Sequence, residues 1–371
     1  MVQESNVKRI LHVVGARPNF MKIAPIMEEM AQHPQTFEQI LVHTGQHYDA
    51  NMSQIFFDDL GMPKPDVNLE VGSGSHAQQT AQIMQRFEPV LLEYRPDWLI
   101  VPGDVNSTVA CALVASKLGI KVAHVESGLR SFDRSMPEEI NRILTDHLAD
   151  LLFTTEPSGN DNLIHEGILP AKVCFVGNTM IDTLVRLLPK AEAQWASLCD
   201  RLDLERFVLV TLHRPSNVDD AETLREIVSA LLDIGRNTQV VFPIHPRTRQ
   251  RIDRMGLDIA DAPIILTEPL GYLDFLALEA HAALVVTDSG GVQEETTYLG
   301  VPCLTARPNT ERPITLTVGT NRLVESSRDA LVAAAETIVN QRQDSSHVSR
   351  PELWDGCAAE RIVTVLSEGA L

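Results

Sequence analysis

Cysteine is scarce in this chain, and its few copies are not arranged in pairs. The number of cysteines is odd, they are scattered, and none shows a Cys-x-x-Cys or histidine-paired spacing. The pattern argues against a disulfide framework and against a cysteine-based metal site. We expect reduced, mostly packed thiols and a cytoplasmic location. The five cysteines are Cys111, Cys174, Cys199, Cys303 and Cys357.

Long hydrophobic runs are also missing. No apolar stretch approaches the roughly 18 residues that a membrane-spanning helix needs. The first residues, MVQESNVKRI, lack the apolar core of a signal peptide. We therefore expect no membrane partner and no export signal.

Positive charge is in deficit, with 31 lysines and arginines against 50 aspartates and glutamates and a net charge of −19. Such a surface repels nucleic acid and anionic membranes, so neither is an expected partner. A phosphorylated ligand would need local cations that act against the field of the whole chain.

The motifs of the common nucleotide cofactors are absent as well. No Gly-x-Gly-x-x-Gly sequence opens the first helix, which disfavours NAD, and the chain has no P-loop. Histidines and aspartates do not cluster with the spacing of metal ligands. We therefore predict no cofactor and no metal.

What the sequence does contain is a regular alternation of short apolar strands and helical segments. With 371 residues, 44% of them hydrophobic and 22% charged, the chain is long enough for two globular domains. Predicted strands cover 10–14, 40–44, 99–101, 122–125, 151–154 and 173–176 in the first half. A second series covers 207–211, 239–242, 264–266, 283–287 and 301–304. This order predicts the α/β class with two doubly wound parallel sheets.

A helical segment without strands, residues 184–206, separates the two series and is the candidate linker. We predict an N-terminal Rossmann-like domain of residues 1–183, with a C-terminal helix at 356–371 packing back onto it. The second Rossmann-like domain covers residues 184–355. Parallel sheets bind ligands at the carboxyl ends of their strands, so we expect the two domains to face a central cleft.

The stretch ALVVTDSGGVQEETTYLG, residues 283–300, is the strongest ligand signal. An apolar strand breaks into Ser289, Gly290 and Gly291 and then enters a helix. Glycines at such a turn let a ligand approach the backbone, and the helix start attracts an anion such as phosphate. Glu294 and Glu295 would repel phosphate there unless one of them binds a ribose. The alternative is a plain turn whose helix start is stabilised by these acids.

Polar residues also follow the predicted strands of the first half. Arg17 and Lys22 follow the first strand, where two cations would suit a diphosphate, although an exposed arginine and a helix lysine are the simpler alternative. Asp104 follows a later strand and has the alternative of a helix cap. Glu126 follows strand 122–125 and is not an obvious cap. Glu138 has a complete structural alternative, because Ser-x-x-Glu is the spacing of a capping box.

Histidines follow two strands of the second half. His213 and His245 each precede a proline closely, at Pro215 and Pro246. One such histidine is often a satisfied core residue, but two are more suggestive. Together with the carboxylates of the first half, they indicate an acid/base site around a phosphate.

Ten motifs in order make the chain resemble the non-hydrolysing UDP-N-acetylglucosamine 2-epimerases, which have the glycosyltransferase-B-like fold. The resemblance covers nearly the whole length. The motifs are GARPNFMKIAP, TGQHYD, PGDVNST, HVESGLRS, MPEEINR, GNTMID, TLHRPSNVD, PIHPRT, DSGGVQEE and NTERP.

The resemblance implies a reaction and a set of site residues. Such enzymes remove the proton from carbon 2 of the sugar while UDP leaves carbon 1, and UDP then returns to the glycal with a proton added from the other face. Asp104, Glu126 and Glu138 match the catalytic carboxylates, and His213 matches a histidine that contacts the diphosphate or assists proton movement. The matching UDP-binding residues are Arg17, Lys22, Phe275, Ser289, Gly290, Gly291, Glu295 and Arg312. The family also implies a homodimer.

Several positions depart from other members of the family. Asn19 stands where some members have glutamate, and Pro215 and Ile314 also replace charged residues. Some bacterial members bind a second UDP-N-acetylglucosamine as an activator. Gln46 and His245 match that regulatory site, but Asp49 stands where a second glutamine is found. These departures argue against allosteric activation here.

Three alternatives remain open beside an epimerase of UDP-N-acetylglucosamine. The chain could act on a related UDP-acetamido sugar or release free N-acetylmannosamine by hydrolysis. It could be a glycosyltransferase, which would need an acceptor site. It could also bind nucleotide sugars without chemistry, but mere binding does not require Asp104, Glu126 and Glu138 together.

Overall fold

The computed structural model describes residues 7–45, 57, 59–256, 264–340 and 349–368. The chain divides into two compact units. Unit 1 comprises Met1–Thr183 and Glu352–Leu371, and unit 2 comprises Leu184–Pro351. Each unit holds one parallel sheet with helices packed on it, which confirms the predicted α/β class.

Unit 1 contains a sheet of seven parallel strands. The strands are β1 Lys8–Val14, β2 Phe37–His43, β3 Val67–Asn68, β4 Trp98–Pro102, β5 Lys121–Ser127, β6 Leu151–Thr154 and β7 Val173–Phe175, in the order β3-β2-β1-β4-β5-β6-β7. Its helices include α1 Arg17–Ala31, α2 His76–Tyr94, α3 Asn106–Lys117, α4 Pro137–Leu148 and α5 Pro157–His165, followed by a 3₁₀ turn at Pro170–Lys172. All five residues of β4 are buried, as expected for a strand covered on both faces.

Helix α6, Thr179–Leu202, passes from residues of unit 1 to residues of unit 2. The strands of unit 2 are β8 Phe207–Thr211, β9 Gln239–Pro243, β10 Ile264–Thr267, β11 Leu284–Thr287, β12 Cys303–Ala306 and β13 Asn321–Val324. They form a parallel sheet in the order β10-β9-β8-β11-β12-β13. The helices are α7 Pro215–Val218, α8 Ala221–Gly235, α9 Pro246–Arg254, α10 Tyr272–His281, α11 Gly290–Leu299, α12 Ile314–Thr317 and α13 Arg328–Val339.

Both sheets reverse their strand order next to their first strand. In unit 1 the reversal lies between β1 and β4, and in unit 2 it lies between β8 and β11. Helices leave adjacent strands toward opposite faces at such a point, which opens a crevice at the carboxyl ends of the strands. We therefore expect a ligand site among the segments that follow these four strands.

The sequence patterns miss two strands and part of one helix. Strands β3 and β13 both lie at sheet edges. Strand β3 has two residues, too few to show a hydrophobic period, and β13 begins with the polar residues Asn321 and Arg322, so it does not form an apolar run. The predicted linker at 184–206 is not a separate segment, because its residues up to Leu202 continue helix α6.

The C-terminal helix, α14 Ala358–Glu368, packs against α1 within unit 1. Its first N–H groups are satisfied by Asp182, whose carboxylate accepts hydrogen bonds from Ala358 N at 3.1 Å and Ala359 N at 2.7 Å. At the other end, Lys8 Nζ donates to the carbonyl oxygen of Leu366 at 2.7 Å. Both helix ends are thus held by side chains from distant parts of the chain.

Removing the cap of α14 should destabilise the protein. Asp182→Ala leaves two helix N–H groups without their acceptor, and we expect the free energy of unfolding to fall by about 1–2 kcal/mol. Urea unfolding followed by circular dichroism measures this change. Burial raises the pKa of Asp182 to about 6, so Asp182→Asn, which keeps an acceptor without a buried charge, should be at least as stable as wild type at about pH 7. An alanine variant as stable as the asparagine variant would contradict the capping role.

Candidate active site

The turn after β1 packs tightly against the end of β4. A side chain at Gly15 would lie 2.5 Å from Ser107 Oγ, so no larger residue fits there. Asn19, in the first turn of α1, accepts a hydrogen bond from Ala16 N at 3.0 Å and donates one to the carbonyl oxygen of Pro102 at 3.1 Å. One buried amide therefore joins the two strands at which the sheet of unit 1 reverses.

Lys22 and Glu126, both predicted site residues, form a buried ion pair beside this turn. Glu126 lies at an irregularity of β5, where the pairing register with β6 shifts, and its φ of 69° is left-handed. A glutamate rarely adopts this conformation, and such strain is often found at functional sites. Gly103 at the end of β4 completes the arrangement, because a side chain there would lie 2.9 Å from Lys22 Nζ. For Arg17 the structure describes the backbone alone, as the first residue of α1.

Asp104 follows Gly103 and does not cap a helix. The residue at the N-cap of α3 is Val105, and no side chain caps this helix, so the helix-cap alternative is wrong. The Asp104 carboxylate instead accepts hydrogen bonds from Arg142 Nε at 3.0 Å and Nη2 at 2.6 Å. Its side chain is 26% exposed, which leaves it accessible to a ligand.

Glu138 does not form the capping box that its spacing suggests. Helix α4 begins at Pro137 with Met136 as its N-cap, so Glu138 lies one position too early in the first turn. Ser135, the expected cap, donates from its hydroxyl to Asp133 Oδ1 at 2.6 Å. The structural explanation of Glu138 is therefore wrong, and the residue is a half-buried carboxylate at the start of α4.

The neighbouring Glu139 has the structural role instead. It is buried, and it accepts hydrogen bonds from Ser131 N at 2.9 Å, Phe132 N at 2.8 Å and Arg142 Nη1 at 2.6 Å. Arg142 thus bridges Glu139 and Asp104. The helix that presents Glu138 is fixed to the turn that presents Asp104 by charge-assisted hydrogen bonds.

In unit 2, Asp288 joins the two strands at the reversal. It follows β11 and accepts hydrogen bonds from the backbone N of His213 at 3.1 Å and of Arg214 at 3.0 Å, which follow β8. His213 Nδ1 lies 3.0 Å from the same carboxylate, while its side chain is 61% exposed. Burial acts to raise the pKa of Asp288, but hydrogen bonds and charge from His213, together with Asn217 and the Arg214 backbone, lower it below its ordinary value. The carboxylate fixes the ring and leaves its outer edge open to a ligand.

Helix α11 begins at Gly290 with Ser289 as its N-cap, and no side chain caps it. A side chain at Gly290 would lie 2.5 Å from Arg312 Nη1 and 2.9 Å from Glu311 Oε1, so a larger residue would displace these two buried side chains. The helix start, with Gly291 as its second residue, lies beside the buried guanidinium of Arg312, which is paired with Glu294 and Glu311. The backbone N–H groups of the helix start suit a phosphate.

The two acids of this helix lie beyond its first turn. Glu294 accepts a hydrogen bond from Arg312 Nε at 2.6 Å, and Glu295 accepts one from Tyr272 Oη at 2.7 Å. Both glutamates are buried, so the alternative in which they merely stabilise the helix start is wrong.

Comparisons with known proteins agree with this geometry. The family model described as UDP-N-acetylglucosamine 2-epimerase matches residues 28–367. The UDP-N-acetylglucosamine 2-epimerase of Methanococcus maripaludis is 42% identical over 95% of this chain and 97% of its own length. The chain belongs to the UDP-N-acetylglucosamine 2-epimerase family.

A solved structure and an enzyme named for a different sugar are also similar to this chain. The crystal structure of Methanocaldococcus jannaschii UDP-GlcNAc 2-epimerase in complex with UDP-GlcNAc and UDP is 42% identical. It has a TM-score of 0.90 and covers 97% of this chain and 100% of its own. The UDP-2,3-diacetamido-2,3-dideoxy-D-glucuronate 2-epimerase of Pseudomonas aeruginosa is 43% identical over 97% of this chain and 99% of its own. The two Rossmann-like domains have the glycosyltransferase-B-like fold that the resemblance implies.

The residues linked to the regulatory site of some family members give no support for such a site. Gln46 and Asp49 lie outside the described residues. His245 is exposed and caps α9, where its Nδ1 accepts a hydrogen bond from Arg247 N at 3.2 Å. This cap is a sufficient structural explanation for the histidine.

Phe275 is the residue that the resemblance to the family predicts beside the uracil. It lies on helix α10 and is half-buried. Helix α10 also carries Glu279, which the sequence analysis missed because it lies within the apolar run LALEAH. Glu279 is fully buried, and its pKa is raised well above the ordinary 4.5 by burial and then by the charge and hydrogen bond of Glu295. Burial and the neighbouring carboxylate therefore both favour the protonated form of Glu279.

In the described ranges, no group of three or more histidine, cysteine, aspartate or glutamate side chains could hold a metal ion. Among the helices that the structure describes, none is long and apolar enough to cross a membrane.

Replacing Glu279 by glutamine should stabilise the protein, and more so at high pH. Because the pKa of Glu279 is raised in the folded state, that state binds more protons than the unfolded chain above about pH 4.5. The stability of the wild type therefore falls as the pH rises toward the folded pKa, whereas glutamine does not titrate. We expect the difference in melting temperature between Glu279→Gln and wild type to grow from about pH 5 to about pH 8.

Scanning calorimetry at both pH values measures this difference. Glu268→Gln, an exposed change in the same unit, is the matched control and should show no such growth. A Glu279→Gln difference that is equal at both pH values would show that the buried carboxyl pair does not hold the extra proton.

Proposed function

We propose that this protein is an isomerase that interconverts UDP-N-acetylglucosamine and UDP-N-acetylmannosamine by inverting carbon 2. The observation that carries the proposal is the placement of Asp104, Glu126 and Glu138. Asp104 and Glu126 lie at or just beyond the carboxyl ends of β4 and β5, and Glu138 lies in the first turn of α4, whose Arg142 binds Asp104. Asp104 and Glu138 do not have the helix-capping roles that would explain them structurally. A reaction that inverts a carbon centre by proton transfer on both faces needs more than one acid/base group, and carboxylates are suited to this role.

We propose units 1 and 2 as the catalytic and UDP-binding domains. The start of α11 at Ser289, Gly290 and Gly291 binds the diphosphate, together with Arg312 and His213. The carboxylate of Glu295 binds the ribose hydroxyls, and Phe275 lies beside the uracil. The M. jannaschii relative, which was crystallised with UDP-GlcNAc and UDP, supports a nucleotide-sugar ligand. We also propose Arg17 and Lys22 as UDP-binding residues, as the resemblance to the family implies.

The reaction proceeds by elimination and re-addition. A carboxylate of unit 1 takes the proton from carbon 2, and the electrons of that C–H bond form a carbon 1–carbon 2 double bond. The bond between carbon 1 and the phosphate oxygen breaks, and its electron pair leaves with UDP, whose charge is stabilised by the cations and the helix start. UDP then adds back to carbon 1 while a proton reaches carbon 2 from the opposite face. Electrons and protons balance without a cofactor.

In this scheme, substrate binding weakens the Lys22–Glu126 ion pair. An arriving diphosphate competes for the ammonium group of Lys22, and Glu126 then loses part of the positive charge that stabilises its ionised form. The loss of such a neighbour makes a carboxylate a stronger base. Substrate binding and activation of the base are therefore coupled through one side chain.

Incubation with UDP-N-acetylglucosamine in heavy water, followed by NMR, tests the proposal. We expect an equilibrium mixture with UDP-N-acetylmannosamine in which both sugars carry deuterium at carbon 2. Glu126→Gln should reduce this exchange at least about 1,000-fold, because the amide cannot accept the proton, and should leave UDP binding within a few-fold.

Glu93→Gln, an exposed change on α2, is the control and should exchange like wild type. Unlabelled substrate after long incubation with wild-type protein would rule out epimerisation of this sugar. A Glu126→Gln protein that fails to fold would indicate that the glutamate is structural.

A related sugar is the second candidate substrate. The P. aeruginosa relative that is named for a diacetamido glucuronate sugar is as similar to this chain as the relatives named for UDP-N-acetylglucosamine. The same heavy-water experiment with the diacetamido sugar separates the two, because deuterium enters only a true substrate. Release of free N-acetylmannosamine would instead indicate the hydrolytic reaction.

We propose in addition that the protein forms a homodimer, as its resemblance to the family implies. Light scattering after size-exclusion chromatography should give about twice the chain mass of 41.0 kDa. A mass equal to that of one chain at micromolar concentration would refute the dimer. A cytoplasmic location stays a prediction.

A further inference from the structure

His76, the first residue of helix α2, is an exposed histidine that the reaction described above does not use. Its Nδ1 lies 3.1 Å from the side-chain amide nitrogen of Asn106, which is buried in the first turn of α3. Asn106 follows Asp104 by two residues. An exposed ring is therefore held next to the turn that presents a proposed catalytic carboxylate.

Three amide side chains form a hydrogen-bonded network beneath this ring, and each of them is at least nine-tenths buried. Asn106 Nδ2 donates to Gln79 Oε1 at 2.8 Å, and Asn141 Nδ2 donates to Asn106 Oδ1 at 3.3 Å. Asn141 Nδ2 also donates to the carbonyl oxygen of Asp104 at 2.9 Å. The network thus joins helices α2, α3 and α4 at one point beside Asp104.

Such a network fixes one arrangement of its members. Buried amides cost free energy unless each finds hydrogen-bond partners, so the side chains cannot move independently without leaving a polar group unsatisfied. One end of the network is the backbone of Asp104, and the exposed end is the ring of His76. The position of this ring relative to the Asp104 turn is therefore well defined.

The segment before His76 lies at the carboxyl edge of the sheet of unit 1. Val71 N donates to the carbonyl oxygen of Thr44, just after β2, at 2.9 Å. Thr44 Oγ1 lies 2.8 Å from Ser107 Oγ in α3, and Gly15, after β1, borders both hydroxyl groups. His76 therefore belongs to the edge at which parallel sheets bind ligands, next to the reversal between β1 and β4.

The second ring nitrogen of His76, Nε2, is accessible to a ligand. Asn106 engages Nδ1, and no hydrogen bond reaches Nε2 from the part of the chain that the structure describes. Open space adjoins the preceding loop, because a side chain at Gly72 would meet nothing within 4 Å and one at Gly74 nothing closer than 3.6 Å. An imidazole nitrogen forms hydrogen bonds with hydroxyl and carbonyl groups.

We propose that His76 is a specificity-determining residue whose Nε2 forms a hydrogen bond with the sugar of the nucleotide-sugar substrate, at a hydroxyl or at the acetamido group. The inference rests on the proposed function, which places the sugar at the carboxylates of unit 1. His76 is the exposed polar side chain that the amide network holds next to one of them, Asp104.

Two substitutions separate contact with the sugar from a purely structural role. The amide of glutamine takes the place of Nε2, whereas the shorter asparagine takes the place of Nδ1 and keeps the contact with Asn106. We expect His76→Asn to raise the KM for UDP-N-acetylglucosamine about tenfold, the effect of one lost hydrogen bond, and His76→Gln to raise it less than about threefold. The inhibition constant of UDP, which lacks the sugar, should stay within about twofold in both variants.

His165→Asn is the matched control, since His165 is an exposed histidine at the last residue of α5. It should leave the KM unchanged. A larger loss in His76→Gln than in His76→Asn would show that the histidine only satisfies Asn106. A wild-type KM in both variants, or an equal loss of affinity for UDP, would also refute the contact with the sugar.

NMR of the wild-type protein with ¹³C-labelled histidine rings tests the contact without an enzyme assay. The His76 signal is assigned by its loss in His76→Asn. We expect it to shift when UDP-N-acetylglucosamine is added and to stay in place when UDP alone is added. A signal that shifts equally with both ligands would overturn the inference.

The two experiments also distinguish the inference from the proposed function. An unmoved His76 signal in a protein that exchanges deuterium into the sugar would refute the inference and leave the proposed function intact. A shifted signal without deuterium exchange would support the sugar contact and refute the epimerase. A protein that binds neither UDP nor UDP-N-acetylglucosamine would refute both.

Discussion

In each unit, one buried polar side chain joins the ends of the two strands at which the sheet reverses its order. Asn19 performs this task in unit 1 by linking the turn after β1 to Pro102 at the end of β4. Asp288 performs it in unit 2 by binding the backbone of His213 and Arg214. Beyond the strand ends, no strand-to-strand hydrogen bonds join the two sides of the crevice. The turns that border it are therefore held together by these side chains. The first link holds the start of α1, which carries Arg17 and Lys22, against the end of β4, which Asp104 follows. The second link holds His213 beside the start of α11.

The second organising feature is the pairing of buried charges. The chain as a whole is strongly acidic, and buried cations near the proposed site residues are paired with carboxylates, as in Lys22 with Glu126, Arg142 with Asp104 and Arg312 with Glu294. Such pairs hold the cations in place in the absence of ligand. A diphosphate must compete with these carboxylates for the cations, and the negative charge of the whole chain opposes its binding in the same way.

Much of the fold and of the site can be read from the sequence, because strands, turns and motifs are local. Both sheets and the glycine-rich start of α11 follow from hydrophobic patterns and turn residues. The interpretations of Asp104 and Glu138 as helix-capping residues are wrong for a reason that the residue spacing does not show. The helices begin one residue later than the spacing suggests, and Arg142 competes for Asp104 from a distant helix. The role of Glu279 could not be predicted from the sequence either, because only the packing of α10 and α11 brings its partner Glu295 next to it.

The crowding around Gly290 has an evolutionary consequence. A side chain at this position would displace the buried ends of Arg312 and Glu311, which are bound to Glu294 and to each other. One substitution would therefore disturb several buried ion pairs at once. We expect Gly290 to change less readily as related sequences diverge than an exposed position of the same helix.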